Sequence, residues 1–286
     1  MQLAYRQQEY HETSDPILKE EHFFDRIEDK YVMNNEMLEP LLKKIDQRML
    51  PSYNGNDVKY TLIESIYFDS LSLELYQHHL QDLPVRYKIR VRKYGPGGAW
   101  DNETLFWEIK TKELGKSKKV RFKINKDDLM LLTRGLPMKY SSDLLEMNAN
   151  LGEEKLRKRL AKTQEVYNKL SPIPSMKIRY LRHAFELGET RVTIDNNIYS
   201  TYLLPRIKQK LRLNSNKEGA IINGEVFENK IIEMLDKFHR KDIVVMEVKY
   251  QGALPDWFND ILYEFELIKT SFSKYFYFIS RVMLPR

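Results

Sequence analysis

Four cationic side chains recur at every second position of one short segment. Residues 85–92 read Val-Arg-Tyr-Lys-Ile-Arg-Val-Arg, so the cations are Arg86, Lys88, Arg90 and Arg92. Side chains alternate between the two faces of a β-strand, which places these cations on one face and leaves the other face apolar. Neighbouring cations on that face lie only about 7 Å apart and repel one another. The pattern therefore predicts a strand whose charged face binds an anion.

The same alternation recurs elsewhere, which favours a shared site over one solvated strand. The other segments are residues 26–31, 105–112, 119–124, 191–195 and 246–250. If these strands close into a barrel, one face lines a lumen and the other face packs against helices. The apolar faces are rich enough in aromatic and β-branched residues to receive helices, so the charged faces are expected to line the lumen.

A lumen lined by so many cations predicts the kind of ligand. An interior with roughly a dozen Arg and Lys side chains would destabilise the fold unless water and an anion filled it. Phosphate chains fit this requirement, because Arg binds phosphate oxygens bidentately and Lys supplies point charges.

Carboxylates among the cations are candidate metal ligands. Glu247 is flanked by apolar residues and followed two positions later by Lys249. It is the first choice, because a phosphate-bound Mg²⁺ or Mn²⁺ ion takes only one or two carboxylates. Glu28 and Glu108 are further candidates, and the alternative for each is a salt bridge that spaces the neighbouring cations.

Composition limits the class of protein. The 286 residues are 42% hydrophobic and carry a formal net charge of +6, so a globular protein with a compact polyanionic partner is expected. The chain has no cysteine, which excludes disulfides and thiolate zinc sites, and its six histidines have no paired spacing. No signal peptide or membrane-spanning run is recognisable, so a soluble cytoplasmic protein is expected.

Turn signals and periodicity divide the chain into a polar arm at residues 1–21 and one domain at 22–286. A helical insertion is expected at about 126–171. The expected strands are 22–31, 62–67, 85–94, 103–113, 118–125, 176–185, 190–198, 243–250 and a closing strand at 275–278. The other expected helices are 35–50, 71–80, 226–238 and 255–268. This order predicts an antiparallel-rich α+β domain rather than a βαβ series.

Nine short motifs follow one another in an order that resembles a known family. They are Arg-Ile-Glu-Asp-Lys-Tyr (26–31), Ile-Tyr-Phe-Asp (66–69), Ile-Arg-Val-Arg-Lys-Tyr-Gly (89–95), Glu-Ile-Lys-Thr-Lys (108–112), Ser-Lys-Lys-Val-Arg-Phe (117–122), Tyr-Leu-Arg-His-Ala-Phe (180–185), Arg-Val-Thr-Ile-Asp (191–195), Glu-Val-Lys-Tyr (247–250) and Ser-Lys-Tyr (273–275). Together they resemble the VTC-type polyphosphate polymerase domain of the triphosphate tunnel superfamily.

This resemblance implies a fold and an activity. The fold is a closed antiparallel β tunnel of about eight strands, with a basic lumen and helices packed outside. ATP is bound there by its triphosphate beside Mn²⁺ or Mg²⁺, and its γ-phosphoryl group is transferred to a growing inorganic polyphosphate chain. The implied partners are ATP and polyphosphate, with no nucleic acid.

The resemblance also implies roles for individual residues. The residues implied to be catalytic are Lys30, Arg90, Arg92, Lys110, Arg182 and Glu247. The implied phosphate-binding set adds Arg26, Lys119, Arg121, Tyr180, Arg191, Ser273 and Lys274, and the metal ligands are Glu247 and Glu28. Alternation counted from Lys177 and Arg179 places Arg182 on the opposite face, so its role requires a bulge or bend.

Three alternative functions remain open at this stage. Tunnel triphosphatases resemble the chain less well, because their first strand carries two glutamates before the lysine, where this chain has Arg26 and Glu28. A polyphosphate or nucleotide sensor would keep the cations and could dispense with Glu247. A single-strand nucleic-acid binder would need aromatic residues beside the cations, and here the aromatics are expected on the opposite face.

Overall fold

The fold is described by a computed structural model covering residues 27–52, 60–96, 104–114, 116–204, 237–240 and 242–283. The expected arm at 1–21, Arg26 and the expected helix at 226–236 lie outside these residues.

One antiparallel sheet of ten strands forms the centre of the described structure. The strands are β1 (Ile27–Asn34), β2 (Leu50–Pro51), β3 (Thr61–Asp69), β4 (Val85–Pro96), β5 (Leu105–Glu113), β6 (Lys116–Ile124), β7 (Ile173–Leu187), β8 (Thr190–Tyr202), β9 (Lys237–Arg240) and β10 (Ile243–Tyr250). The main path has the order β1-β10-β8-β7-β3-β4-β5-β6, while β2 pairs with β7 and β9 pairs with β8. The expected antiparallel α+β architecture is therefore confirmed.

Backbone hydrogen bonds do not close this sheet within the described residues, because β1 and β6 are its two unpaired edges. The closed tunnel expected from the sequence is thus not confirmed as a hydrogen-bonded barrel. Side chains nevertheless reach across the charged face. Lys110 Nζ on β5 lies 3.7 Å from Glu28 Oε2 on β1. The sheet therefore curves far enough for strands near its opposite edges to meet over that face.

Seven α-helices surround the sheet in the described residues. They are α1 (Leu38–Asp46), α2 (Glu74–Leu80), α3 (Lys126–Thr133), α4 (Ser142–Met147), α5 (Glu153–Leu170), α6 (Asp256–Glu264) and α7 (Lys274–Met283). None of the helices described has the length and apolar character needed to cross a bilayer.

The expected closing strand at residues 275–278 was wrong, because this segment belongs to helix α7. Tyr275, Phe278 and Ile279 are the buried residues of that helix. Their spacing of three and four positions makes one helical face apolar, which outweighs the β-propensity of the aromatic run. The expected helix at 226–238 also differs at its end, where Lys237–Arg240 is strand β9.

The apolar face of the sheet packs against helices in two regions. Over β3 to β6, Trp107 and Ile109 lie in a core with Leu156 and Leu160 of α5. Over β1, β8 and β10, the core includes residues of α1 and α6. These cores hold the strands that carry the charged residues.

Helix α3 begins at a capping box, in which the Asn125 side chain accepts from the backbone N–H of residue 128.

A buried hydrogen bond between β5 and α5 supports a stability prediction. Trp107 Nε1 donates to Thr163 Oγ1 at 3.0 Å, and Thr163 Oγ1 donates to the carbonyl of Arg159 at 3.0 Å. Thr163→Val keeps the side-chain shape but leaves the indole N–H without an acceptor. We expect the free energy of unfolding, measured with urea, to fall by about 1–3 kcal/mol.

Thr270→Val is the control, because the Thr270 side chain is exposed. Its free energy of unfolding should change by less than about 0.5 kcal/mol. Equal losses in the two variants would contradict the role given to the Trp107 hydrogen bond.

Candidate functional site

A buried carboxylate sits among cations on β4, β5 and β6. Strand register places Arg90 directly opposite Glu108, and Glu108 directly opposite Arg121. Glu108 Oε2 accepts from Arg90 Nε at 2.6 Å, and Glu108 Oε1 lies 3.0 Å from Lys119 Nζ and 3.4 Å from Arg121 Nε. Burial opposes ionisation, yet Arg90 and Arg92 hold the pKa of Glu108 well below its usual range. This carboxylate therefore holds the predicted phosphate ligands Arg90, Lys119 and Arg121 in one cluster.

The next row contains three lysines in direct register. Lys88 lies opposite Lys110, and Lys110 lies opposite Lys119. Within the described residues Lys88 forms no ion pair, and burial with the charges of Lys30 and Lys110 lowers its pKa to about 7. Like charges directly opposite each other destabilise a sheet. An anion bound at this row would relieve that cost.

Arg92 lies at the other end of β4 and is buried, with 6% of its surface exposed. Its Nε donates to Ser65 Oγ at 3.0 Å, and its NH2 group donates to Tyr180 Oη at 3.3 Å. Both of these acceptors are neutral hydroxyls, so the positive charge of Arg92 stays available to an anion. Tyr180, which was also predicted as a phosphate contact, is buried beside it.

A second buried carboxylate, Asp195, joins two other predicted ligands. Arg182 donates to it from Nε at 2.6 Å and from its NH2 group at 2.8 Å. Lys274 Nζ donates to Asp195 Oδ2 at 2.5 Å and lies 4.7 Å from the ring centre of Tyr180. Burial opposes ionisation, but Arg182 and Lys274 lower the pKa of Asp195. Asp195 thus brings β7 and the start of α7 together.

The predicted metal ligands lie side by side on β1 and β10 among three lysines. Glu28 contacts Lys30 at 2.9 Å, with Lys110 and Lys249 each at 3.7 Å. Glu247 contacts Lys249 at 3.0 Å and Lys30 at 3.8 Å. Burial would favour the neutral acid, yet Lys249 and Lys30 hold the pKa of Glu247 well below its usual range. Burial and the charge of Glu247 oppose ionisation of Glu28, but Lys110, Lys249 and Lys30 lower its pKa, so both carboxylates are ionised.

The donor set fits a divalent ion that takes most of its ligands from phosphate and water. Among the residues described, no group of three or more His, Cys, Asp or Glu side chains could hold a metal ion. Mg²⁺ is commonly bound by one or two carboxylates together with substrate phosphates. Glu28 and Glu247 match that requirement, whereas an all-protein cage is not supported by the described residues.

Two predicted ligands lie at the margin of this arrangement. Arg191 is opposite Lys249 in register, but its side chain is exposed and pairs with Glu186 at 3.3 Å. Ser273 precedes α7, and its Oγ accepts from the backbone N–H of Phe276 at 3.5 Å. The structure thus groups most of the predicted ligands and leaves these two less closely engaged.

The expected need for a bulge before Arg182 rested on a wrong assumption about faces. Lys177 and Arg179 lie on the apolar face, where both contact the buried carboxylate of Glu64. Strand register instead places Arg182 and Tyr180 on the charged face, opposite Thr61 and Ile63 of β3. The β7–β8 register does shift between Arg179 and Leu181, but alternation from Tyr180 already places Arg182 correctly.

Aromatic residues also accompany the cations, contrary to the expectation that they occupy only the opposite face. Tyr67 Oη accepts from the NH1 group of Arg90 at 3.4 Å. The guanidinium of Arg121 lies 4.1 Å from the ring centre of Phe106 and 5.5 Å from that of Tyr94. Such rings restrict the guanidinium groups through cation–π contacts.

Sequence reasoning left three contributors out of the site. Lys249 contacts both metal-ligand candidates, Asp195 joins Arg182 to Lys274, and Lys88 completes the lysine row. Each stands in an alternating motif with a selected residue: Lys249 is two positions from Glu247, Lys88 is two positions from Arg90, and Asp195 is four positions from Arg191. The alternation could therefore have identified them, whereas their partners could not be known without strand register.

The lowered pKa of Lys88 predicts proton uptake when an anion binds. In the free protein Lys88 is largely neutral at pH 8, above its pKa of about 7. A bound polyanion favours the charged ammonium, so its pKa rises and one proton is taken up. Calorimetry of inorganic tripolyphosphate binding at pH 8, in buffers of different ionisation enthalpy, should detect this uptake, and affinity should weaken from pH 7 to pH 9.

Lys88→Met should remove most of the uptake. Lys112→Met is the matched control, because Lys112 lies on the same face, opposite Arg86, and is exposed. Equal proton uptake in the wild type and Lys88→Met would exclude Lys88 as its source.

Similar structures come from two proteins described as candidate adenylate cyclases. The protein from Bacillus halodurans is 11% identical, with a TM-score of 0.46, and the match covers 91% of this chain and 97% of that chain. The protein from Vibrio parahaemolyticus is 12% identical, with a TM-score of 0.39, covering 87% and 94%. These TM-scores are too low to carry an argument about function.

The sequence itself gives a broader match. No curated protein matches the chain. The family model of the VTC domain matches residues 25–282, which include every motif selected above. This confirms the family resemblance. With the match extending over nearly its whole length, the chain belongs to the VTC domain family.

Proposed function

We propose that this protein is a polyphosphate polymerase that transfers the γ-phosphoryl group of ATP to a growing inorganic polyphosphate chain. The observation that carries the proposal is the grouping of cations from six strands and α7 on one curved sheet face. The cations on this face are Lys30, Arg90, Arg92, Lys110, Lys119, Arg121, Arg182, Lys249 and Lys274. Among the described residues, the carboxylates that pair with members of this set there are Glu28, Glu108, Asp195 and Glu247. A polyphosphate chain is negatively charged along its whole length, which is the opposite charge to that of this face.

The proposed binding mode assigns the triphosphate to the centre of this face. Arg90 and Arg92 would bind phosphate oxygens from β4, with Lys110, Lys119 and Arg121 completing the same side. Lys30, Arg182 and Lys274 would bind from the opposite side, and Tyr180 would donate a hydrogen bond. Arg26, Arg191 and Ser273 would contact the ends of the chain. The face would then form a tunnel, closed by side-chain and phosphate contacts rather than by backbone pairing.

A divalent ion, Mn²⁺ or Mg²⁺, would be held by Glu247 and Glu28 together with phosphate oxygens. When bound, it supplies neutralisation of charge on the transferred phosphoryl group. Lys30 and Lys249 now contact these carboxylates. Both lysines would turn toward the phosphates, so that the carboxylates become free to coordinate.

Phosphoryl transfer requires positioning and charge neutralisation more than a nucleophilic side chain. A terminal oxygen of the acceptor chain forms the new bond to the γ-phosphorus, and the bond from that phosphorus to the β–γ bridging oxygen breaks. ADP leaves and the chain grows by one phosphate, so the reaction balances. The replacement of one first-strand glutamate of the tunnel hydrolases by Arg26 favours an anionic acceptor over water.

The product of ATP turnover tests the proposal directly. We expect ATP and Mn²⁺ or Mg²⁺ to yield a polyphosphate ladder on a gel, with ADP formed and little free phosphate. Stoichiometric free phosphate without chains would replace the polymerase by a triphosphatase. Saturable triphosphate binding without turnover, with or without added short polyphosphate, would indicate a sensor.

The role of the metal ligand can be tested with Glu247→Gln. This change removes the negative charge but not the side-chain shape, so we expect kcat to fall by at least about 100-fold. Glu264→Gln is the control, because Glu264 forms an exposed ion pair with Lys44. Activity in Glu247→Gln that equals the control would remove Glu247 from the site.

Arg90→Ala combined with Arg92→Ala tests the phosphate-binding assignment. Loss of two charge-assisted contacts should raise the Kd for inorganic tripolyphosphate by about 100-fold or more. Arg157→Ala is the control, because Arg157 is exposed on α5 and pairs with Glu153. An unchanged Kd in the double variant would contradict binding at this face.

A further inference from the structure

The start of helix α7 is held by two anchors, one on each side of Lys274. On the upstream side, the backbone N–H of Thr270 donates to the carbonyl of Lys30 at 2.8 Å. Lys269 Nζ also lies 2.5 Å from Asp29 Oδ1. These contacts fix the segment before α7 along the outer edge of β1.

The downstream anchor is the buried carboxylate of Asp69, at the end of β3. Tyr275 Oη donates to Asp69 Oδ2 at 2.6 Å. Asp69 also accepts from the backbone N–H groups of Ser70, Leu75 and Tyr76 at 2.8, 2.8 and 3.0 Å. Asp69 is fully buried, so its position is fixed by β3 and the start of α2. Its hydrogen bond with Tyr275 therefore fixes the start of α7 relative to β3 and α2.

The start of α7 contacts the charged face through two side chains, Lys274 and Tyr275. Lys274 precedes Tyr275 directly and reaches Asp195 and the Tyr180 ring. The Tyr275 ring stacks on Tyr67, with ring centres 5.2 Å apart and an interplanar angle of 18°. Tyr67 in turn accepts from Arg90. One hydroxyl–carboxylate pair thus lies between the lysine on α7 and the arginine on β4.

We propose that Asp69 and Tyr275 are positioning residues that set the placement of Lys274 for binding a phosphate chain. The proposal rests on the proposed function only in taking a phosphate chain as the ligand. Neither Asp69 nor Tyr275 touches the phosphates. Their effect passes through Lys274, whose side chain would otherwise be free to move with the end of the helix.

A purely structural role for this pair would have a different signature. If the hydrogen bond only stabilises the fold, its loss lowers the stability. Any effect of that loss on ligand affinity is then the same with and without the Lys274 ammonium. A positioning role makes the effect on affinity depend on whether the Lys274 ammonium is present. The two roles are therefore separated by a double-mutant cycle on binding.

The cycle compares the wild type, Tyr275→Phe, Lys274→Met and the double variant in calorimetric binding of inorganic tripolyphosphate. Tyr275→Phe keeps the ring that stacks on Tyr67 and removes only the hydroxyl. The Tyr275 hydroxyl donates to Asp69 and accepts from Ser175 Oγ at 3.2 Å, and both bonds are lost. We expect Kd to rise about tenfold, because Lys274 is then less well placed to contact phosphate. In the Lys274→Met background the same change should raise Kd less than about twofold.

Tyr167→Phe is the matched control, because Tyr167 is a buried tyrosine of α5 whose hydroxyl donates to the carbonyl of Leu132 at 3.4 Å, on the apolar face. It should leave the Kd unchanged. An equal Kd change for Tyr275→Phe in both backgrounds would overturn the proposal, as would a Kd unchanged by Lys274→Met.

Amide hydrogen exchange provides a second readout that needs neither ligand nor turnover. Tyr275→Phe should accelerate exchange in residues 270–277 of the free protein, and Tyr167→Phe should not. Unchanged exchange there would show that the hydroxyl does not fix this segment and would overturn the proposal. A wild-type protein that binds tripolyphosphate but makes no polymer would refute the proposed function, while both readouts would still test the positioning role.

Discussion

Repulsion among cations on one sheet face is the constraint on which the rest of the structure depends. Two like charges about 7 Å apart cost about 2 kcal/mol at an effective dielectric constant near 20. A few such pairs equal the whole stability of an ordinary domain, which is about 5–15 kcal/mol. The fold compensates through buried or half-buried carboxylates that each contact several cations. Glu108 and Asp195 do this at two places, and Glu28 with Glu247 do it at a third.

Packing on the apolar face stabilises the fold and offsets the repulsion among the cations on the charged face. Its residues pack against α3, α4 and α5 on one side and against α1 and α6 on the other. Helix α7 packs differently, because Tyr275 and Phe278 join a core with Tyr67, Met176 and Tyr180 of the charged face. The apolar part of that face therefore holds the helix that carries Lys274. Each strand therefore carries both apolar packing residues and charged residues, so the two functions are combined in one sheet rather than divided between domains.

This distribution of charge suits a reaction that depends on electrostatics. The cations are held by carboxylates, rings and hydroxyls in the free protein, so the proposed phosphate binding would need reorganisation mainly at Lys30 and Lys249, which pair with Glu28 and Glu247. The carboxylates also prevent an excess of repulsion in the free protein. The charge of this face can also increase when a ligand binds. Burial and neighbouring cations lower the pKa of Lys88 to about 7, so this lysine can take up a proton together with an anionic ligand.

The sequence alone determined which residues share a face, because side-chain alternation in a strand is a local property. It identified the charged strands, and it identified the family through motifs that keep their order along the chain. It assigned Lys177 and Arg179 to the charged face because they are cations, whereas they pair with buried Glu64 on the other face. It assigned 275–278 to a strand, because a short aromatic segment fits both a strand and a helix. Only tertiary structure decided that Glu28 meets Lys110, that Asp195 joins Arg182 to Lys274, and that Asp69 holds Tyr275. Those contacts join residues far apart in the chain, and they depend on strand register, sheet curvature and helix docking, which no local pattern encodes.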